Sequence, residues 1–216
     1  MSDFKAIGGT VRARAATELR DRILTGRLPA GTRIDLDDLT RQFGTSRTPV
    51  REALLELSYE GLVAVTPRSG ITVLGISPED AVDNFAVLAA LTGKAAEWAT
   101  TRITPEQLAE LHSLADSIFD ADDVVAANRR FHRALNLASG SPRLLTYIRQ
   151  AVRAVPASYF DLFPEQERRS RDEHAELLAA IGHGDAAAAR IIAEAHVLAA
   201  GAALGDWLRT RADGEG

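Results

Sequence analysis

The chain has 216 residues, 46% of them hydrophobic and 25% charged, which excludes a wholly disordered chain and allows two small domains. It has no cysteine, which excludes disulfides and thiolate metal sites. Residues 1–76 carry a net charge of +2 and residues 77–216 carry −7, so we expect an anionic partner to prefer the first segment. The stretch MSDFKAIGG has no apolar signal, and the runs AVLAAL and VLAAGAAL are too short to span a bilayer. We therefore expect a cytoplasmic protein without a membrane partner.

Two helices are predicted at the start of the first segment. Apolar residues at helical spacing begin at Val11 and stop at Gly26, a glycine typical of a helix C-terminus. After the turn LPAGTRI, Asp35 is placed to cap a second helix over 36–43 that ends at Gly44.

A third helix and a hairpin complete this segment. Thr48 is expected to cap the helix, Pro49 to occupy its first position and Gly61 to end it. The short connection containing glycine makes the second and third helices a helix-turn-helix. The β-branched runs LVAVTP and ITVLG flank RSG and predict a hairpin, so the motif is the winged form.

The third helix separates an apolar face from a basic tip. Its apolar positions are Val50, Leu54 and Leu57. If these face the core, Arg47, Thr48 and Arg51 project from the N-terminal end, where free N–H groups and the helix dipole add positive potential. Such a tip complements phosphate and the acceptor edge of guanine. The alternative is that both arginines are solvated surface residues or pair with Glu52 and Glu56.

The strings ILTGRLPAGTRI, LTRQFGTSRTPVREALLELSYEGLV and RSGITV resemble the N-terminal domain of the GntR family of bacterial transcription regulators, over residues 11–74. This resemblance implies a homodimer that binds double-stranded operator DNA. It assigns DNA contacts to the third helix, to the wing and to a basic residue in the loop before the second helix: Arg47, Thr48, Arg51, Arg68, Ser69, Gly70 and Arg33. Some relatives have an arginine where this chain has Asp37, so a contact there is not transferred.

The second segment, 77–216, reads as helical throughout. SPED, TPEQ and SPRL each place a hydroxyl cap before a proline, and Gln107 completes a capping box in the second. We predict helices near 78–100, 105–119, 122–139, 142–160, 166–182 and 185–210, forming an antiparallel all-helical bundle able to enclose a pocket. Nucleotide-binding and nucleophile motifs are absent from the sequence. The chain is thus predicted to be mostly α, with a winged helix-turn-helix domain (1–76) and a helical domain (77–216).

Histidines of the bundle are spaced so that they can converge. Asn128 and His132 lie one turn apart on one helix, and His174 and His196 fall on the last two helices. Three imidazoles and one amide oxygen suit Zn²⁺ or Ni²⁺ and leave coordination positions open. The alternative for any single histidine is a hydrogen-bonded or solvated side chain, which is how we interpret the two remaining ones, His112 and His183.

The strings NRRFHRAL, DEHAELLAAIGHGD and AEAHVLAA resemble the FCD ligand-binding domain of the FadR-type subfamily. The resemblance implies that a divalent metal is held by an Asp or Asn and three histidines, here Asn128, His132, His174 and His196. Six predicted helices rather than seven favour the VanR-like group. Relatives often have an Arg and a Glu in the first bundle helix, where this chain has Leu88 and Thr92, so contacts of that pair are not transferred.

These observations predict a transcription regulator whose operator affinity is controlled by a small organic acid at a metal site. A carboxylate is expected on the metal, with Leu88 forming an apolar wall. Asn136 is a candidate for a hydrogen bond to this ligand, and the alternative is a plain surface or packing role. One alternative is a metal-responsive regulator without an organic effector. Another is a zinc hydrolase, which lacks a positioned base because Asp172 and Glu173 are expected to point away from the metal side of His174.

Overall fold

A computed structural model describes residues 9–66 and 70–214, apart from the side chains of 212–214. The chain divides into two compact units, Met1–Ser77 and Pro78–Gly216. The prediction of a mostly α protein with a winged helix-turn-helix and an all-helical second unit is confirmed.

The first unit contains three helices and a small antiparallel sheet. In chain order its elements are α1 (Val11–Leu24), β1 (Arg33–Ile34), α2 (Leu36–Phe43), α3 (Arg47–Tyr59), β2 (Val63–Thr66) and β3 (Gly70–Val73). The strand order is β1-β3-β2, and Arg33 is paired with Thr72 across the sheet. β1 was not predicted, because a two-residue strand has too little sequence pattern to separate it from the LPAGTRI turn.

Helix ends in this unit follow local sequence signals, with one exception. The Asp35 carboxylate accepts hydrogen bonds from the amides of Asp37 and Asp38, and Gly44 ends α2 with φ +59°, as predicted. The prediction that Thr48 caps α3 is wrong, since Ser46 is the N-cap and the helix begins at Arg47. Pro49 therefore lies at the third helical position, whose N–H has no partner within the helix, so proline removes no hydrogen bond there.

A hydrophobic core fixes how α3 is presented. Val50, Leu54 and Leu57 are fully buried with residues of α1, α2 and the sheet. Ion pairs also join α1 to α3: Arg20 Nε donates to Glu60 Oε2 at 2.6 Å and its Nη2 donates to Glu56 Oε1 at 3.4 Å. The face of α3 opposite the core is therefore held outward.

The second unit is a helical bundle, and its described residues contain no strand. Its helices are α4 (Pro78–Arg102), α5 (Pro105–Ser117), α6 (Val124–Ala138), α7 (Pro142–Ala151), α8 (Tyr159–Leu162), α9 (Gln166–Gly182) and α10 (Ala186–Gly214), with 3-10 turns at Ile118–Asp120 and Val152–Ala154. The single helix predicted over 142–160 is wrong. Val155 is extended (φ −84°, ψ 119°) because it precedes Pro156, which disfavours the helical conformation for the residue before it.

α4 and α10 pack closely through small residues. A Cβ on Gly93 would lie 2.4 Å from Glu194 Cγ, and one on Gly201 would lie 2.4 Å from Phe85 Cβ. Over Ala186–Arg211, α10 is long and apolar enough to cross a membrane by length and composition alone, which the run VLAAGAAL did not predict. A single helix of this kind is a weak indication of a membrane span, because core helices of bundles meet the same criterion.

Candidate DNA interface and metal centre

The N-terminal half of α3 presents basic and polar side chains to solvent. Arg47, Thr48 and Arg51 are all exposed, on the side opposite the buried residues of α3. Glu56, which could have neutralised an arginine of this tip, instead accepts from Arg12 Nη1 at 2.8 Å and from Arg20. Glu56 therefore does not neutralise the arginines of the tip.

Arg47 makes an ion pair that the sequence did not indicate. Its Nε donates to Asp37 Oδ1 and its Nη2 to Asp37 Oδ2, both at 2.7 Å. The partner comes from the first turn of α2, ten residues away, and not from Glu52 or Glu56, the two partners that the alternative interpretation named. The two side chains remain 68% and 57% exposed, so the pair lies at the surface.

The wing is formed by the β2–β3 hairpin. Gly70 begins β3 with φ +94°, a conformation that favours glycine. Arg33 reaches the same place from β1, since its Nη2 lies 3.9 Å from where a Cβ on Gly70 would be. Arg68 and Ser69, the other predicted wing contacts, lie outside the described residues.

Three histidines meet inside the second unit. His132 comes from α6, His174 from α9 and His196 from α10, and one ring nitrogen of each lies within 4.8 Å of the other two. The ring centroids are 4.9–5.1 Å apart. Tetrahedral coordination at the usual zinc–nitrogen length places donor atoms about 3.4 Å apart, so small side-chain rotations bring these nitrogens to ligand distances.

Buried polar atoms without partners mark the same region. Both ring nitrogens of His174, Asn128 Oδ1 and Asn136 Oδ1 are buried without a hydrogen bond to any described residue. Asn128, His132 and Asn136 follow one another at four-residue intervals on α6, so they share a face of that helix. Buried polar atoms are normally satisfied, and an ion with its bound ligands would supply the missing partners. The donor set therefore fits a divalent metal.

Burial keeps two of these imidazoles neutral. Desolvation, and then the nearby His196, lower the pKa of His132 to about 3. Desolvation, followed by His132 and His196, lowers the pKa of His174 well below its ordinary value of 6.5. A neutral imidazole is the form that binds a metal ion, so neither side chain must lose a proton to coordinate one at neutral pH.

Glu173 is a residue of the site that sequence reasoning missed. Its Oε2 lies 2.7 Å from His196 Nδ1, and its Oε1 accepts from Arg169 Nε at 2.6 Å. Burial raises the pKa of Glu173, but the bonds from His196 and Arg169 outweigh it and leave the pKa lowered. A carboxylate on Nδ1 directs the Nε2 lone pair of His196 away from Glu173, as outer partners do for metal-binding histidines. The sequence places Glu173 next to the predicted ligand His174, but neighbouring positions on a helix predict that its side chain points away from the metal side.

Two positions on α4 are apolar or internally satisfied. Leu88 is buried, and the Thr92 hydroxyl donates to the carbonyls of Leu88 and Ala89 in its own helix. The two side chains that replace the Arg and Glu of relatives thus offer no free polar group.

The fold and these two sites define the class of DNA-binding transcription regulators. Residues 11–73 match the family of bacterial regulatory proteins described as the gntR family, and residues 83–199 match the FCD domain. The chain belongs to the GntR family, in the FadR-type subfamily that carries an FCD domain. Members of these families are transcription regulators and not enzymes, so the zinc hydrolase alternative is set aside.

Individual relatives agree with this assignment. The chain is 33% identical over 142 residues to an uncharacterised HTH-type transcriptional regulator of Agrobacterium vitis, covering 62% of this chain and 82% of the relative. It is 29% identical over 174 residues to the HTH-type transcriptional regulator McbR of Escherichia coli, covering 76% and 79%. The solved structure of McbR covers 88% of this chain and 94% of its own, with a TM-score of 0.68 and 26% identity. The VanR-like grouping is not tested by these matches, and its premise of six bundle helices does not hold, because the described residues of the second unit form seven helices, α4 to α10.

Proposed function

We propose that this regulator binds a divalent metal, Zn²⁺ or Ni²⁺, through Asn128, His132, His174 and His196, and that a small carboxylate bound there controls its affinity for operator DNA. The observation that carries this proposal is the convergence of three imidazoles, one of which, His174, has both ring nitrogens buried without a partner among the described residues. The metal would supply a positive charge and open coordination positions.

The charge of the ligand set favours an anionic effector. His132 and His174 are neutral, and Asn128 contributes an amide oxygen without charge. A bound divalent ion would then keep its formal charge within its first coordination shell, and this charge attracts a carboxylate. Asn136, one turn beyond His132 on the same face of α6, is proposed to donate a hydrogen bond to the effector from its amide Nδ2, and buried Leu88 is proposed as an apolar wall.

Calorimetry separates the candidate functions. Zn²⁺ or Ni²⁺ is titrated into chelator-treated protein, followed by a panel of small mono-, di- and tricarboxylates. We expect one metal per chain, and carboxylate binding only after metal loading. Metal binding without any carboxylate binding would favour the alternative, a metal-responsive regulator without an organic effector. Absence of metal binding would contradict the proposal.

Asn128→Asp tests the charge argument with both signs. The added negative charge should tighten metal binding by roughly tenfold or more and weaken carboxylate binding to the metal-loaded protein. His112→Asn is the matched control, because His112 is an exposed bundle histidine of α5. Tighter carboxylate binding by Asn128→Asp would refute this account of the pocket.

On the DNA side, we infer that Arg47, Thr48 and Arg51 contact the operator from the N-terminal end of α3, with Arg33, Arg68, Ser69 and Gly70 at the wing. Support comes from the outward basic face of α3 and from the position of Arg33 beside Gly70. The helix N-terminus adds unpaired N–H groups that suit a phosphate. Because its target is DNA, we place the protein in the cytoplasm.

Regulators of this family bind operator DNA and typically dimerise, and we infer a homodimer through α10. Five exposed apolar residues follow one another at intervals of three and four along this helix: Ala187, Ile191, Ala195, Leu198 and Ala202. Ile191 and Leu198 are 65% and 47% exposed, and this spacing is typical of a helix-packing seam. A two-fold dimer predicts an operator with two near-symmetric half-sites.

Light scattering on purified protein tests the dimer seam. Leu198→Glu should give a monomer, because a charge would be buried in the contact. Leu137→Glu is the matched control, since Leu137 is an equally exposed leucine (48%) on α6, away from the seam. A Leu198→Glu dimer of unchanged affinity would refute the proposed seam.

A further inference from the structure

Among the described residues, an ion pair between Asp37 and Arg47 spans the α2–α3 turn. The guanidinium and the carboxylate meet side by side, with two N–H···O contacts of 2.7 Å. A side-by-side pair uses the Nε and Nη2 edge of the arginine, which is also an edge that can bind a phosphate or a guanine. In the free protein this edge of Arg47 is already occupied.

The other acidic side chains at the start of α2 bind groups within or next to their own helix. Asp35 accepts from backbone amides at the start of α2, and Asp38 binds Gln42 Nε2 at 2.9 Å and Arg41 Nη2 at 3.1 Å. Arg51, one turn beyond Arg47, has no carboxylate within ion-pair distance among residues 9–66 and 70–214. Asp37 thus differs from the neighbouring acidic residues because it forms an ion pair with a basic residue of the α3 tip.

We propose that Asp37 is a specificity-determining residue of the DNA interface. It withholds Arg47 from DNA of arbitrary sequence and releases it where a base edge offers an equivalent pair of acceptors. The proposal rests on the proposed contact of Arg47 with the operator.

Two penalties act on any duplex that displaces the carboxylate. The ion pair is lost, and the freed negative charge of Asp37 remains close to the phosphates. A phosphate can also accept two hydrogen bonds from Arg47, but its negative charge repels the freed Asp37 carboxylate. The N7 and O6 atoms of a correctly placed guanine restore two parallel hydrogen bonds to Arg47 without that repulsion, because the base is neutral. Asp37 therefore lowers affinity for random DNA more than affinity for the operator, which raises discrimination between them.

Fluorescence anisotropy with two labelled duplexes tests this proposal. One duplex has a random sequence, and the other is selected from a randomised library with the wild-type protein. Asp37→Asn should bind the random duplex about three- to tenfold more tightly, with a salt slope steeper by about one unit. Its gain on the selected duplex should be smaller, so that the ratio of the two affinities falls. Asp38→Asn, which removes the same charge from the same helical turn, should change both affinities little and equally.

A double-mutant cycle with Arg47→Ala separates release of Arg47 from loss of repulsion. In the Arg47→Ala background, Asp37→Asn should give no more gain than Asp38→Asn gives. A full Asp37→Asn gain in that background would mean that Asp37 acts only as a repulsive charge, and the proposal would be overturned. Weaker binding by Asp37→Asn would overturn it as well, because Asp37 would then orient Arg47 for contact.

A different result would show that Arg47 does not contact DNA at all. If Arg47→Ala changes neither the selected-duplex nor the random-duplex affinity, then Arg47 does not contact DNA. That result removes the proposed recognition role itself, whatever Asp37→Asn does.

Discussion

The buried histidines predict that metal-free protein loses stability as the pH falls from 7.5 to 5.5. His174 is 1% exposed and its ring nitrogens have no hydrogen-bond partner among the described residues. Burial lowers the pKa of His174 and brings that of His132 to about 3, so both stay neutral in the folded protein across this range. In the unfolded chain each takes up a proton near its ordinary pKa of 6.5.

The sign and size follow from linkage. Because the unfolded state binds more protons below pH 6.5, acid favours unfolding, and the stability is lost progressively from pH 6.5 down to the folded pKa. For a histidine that stays neutral when folded, protonation of the unfolded chain lowers the free energy of unfolding by about 1 kcal/mol at pH 5.5 and hardly at all at pH 7.5. The two histidines together give roughly 2–3 kcal/mol, with the contribution of partly exposed His132 an upper bound. The pKa of Glu173 is lowered, so this carboxylate stays ionised throughout.

Urea unfolding in the presence of a chelator measures this effect. The only two tryptophans, Trp98 and Trp207, belong to the second unit, so their fluorescence reports on the unit that holds the histidines. His174→Phe should roughly halve the loss between pH 7.5 and pH 5.5, whatever its effect on absolute stability. His112→Asn, at an exposed position, should keep the full loss. A wild-type stability that is constant to within about 0.5 kcal/mol over this range would refute the reasoning.

Three further changes have defined outcomes. Glu173→Gln should weaken zinc binding in calorimetry by about 10- to 100-fold, because His196 loses the carboxylate that orients it; an unchanged affinity would remove Glu173 from the site. Gly201→Ala should lower the free energy of unfolding by about 1–3 kcal/mol, because its Cβ would lie 2.4 Å from Phe85 Cβ. Gly182→Ala, whose Cβ would meet Leu108 at an ordinary 3.8 Å, should not, and equal losses would contradict the close packing. Arg51→Ala should weaken binding to a selected operator by about 1–3 kcal/mol if it reads a base, while an equal loss on random DNA would indicate a phosphate contact.

Local signals in the sequence predicted most of the fold. Asp35 and Gly44 bound α2, and Thr104 with Gln107 forms the expected capping box, because caps depend on residues three or four positions apart. The same reasoning failed at Pro156. Its effect on the preceding residue was masked by apolar residues that keep a helical spacing on both sides of it.

Some contacts of the candidate sites could be predicted from the sequence, and others could not. The imidazoles of His132, His174 and His196 could be expected to meet, although their helices are far apart in sequence, because the resemblance supplied the tertiary pairing. The contacts of Asp37 with Arg47 and of Glu173 with His196 have no such guide. Each contact joins side chains of different helices. Their rotamers decide whether the two side chains meet, and sequence spacing does not predict those rotamers.

The charge of Glu173 bears on the proposed function. Arg169 contacts Glu173 at 2.6 Å, so the negative charge that orients His196 is compensated next to it. If a metal binds as proposed, Glu173 would orient His196 without adding a net negative charge next to the ion. A carboxylate effector would then meet an ion whose charge is not neutralised by acidic side chains of the protein. Substitution of Asn128 by aspartate would place such an acidic side chain on the ion, which is why its two effects on metal and on effector are expected to have opposite signs.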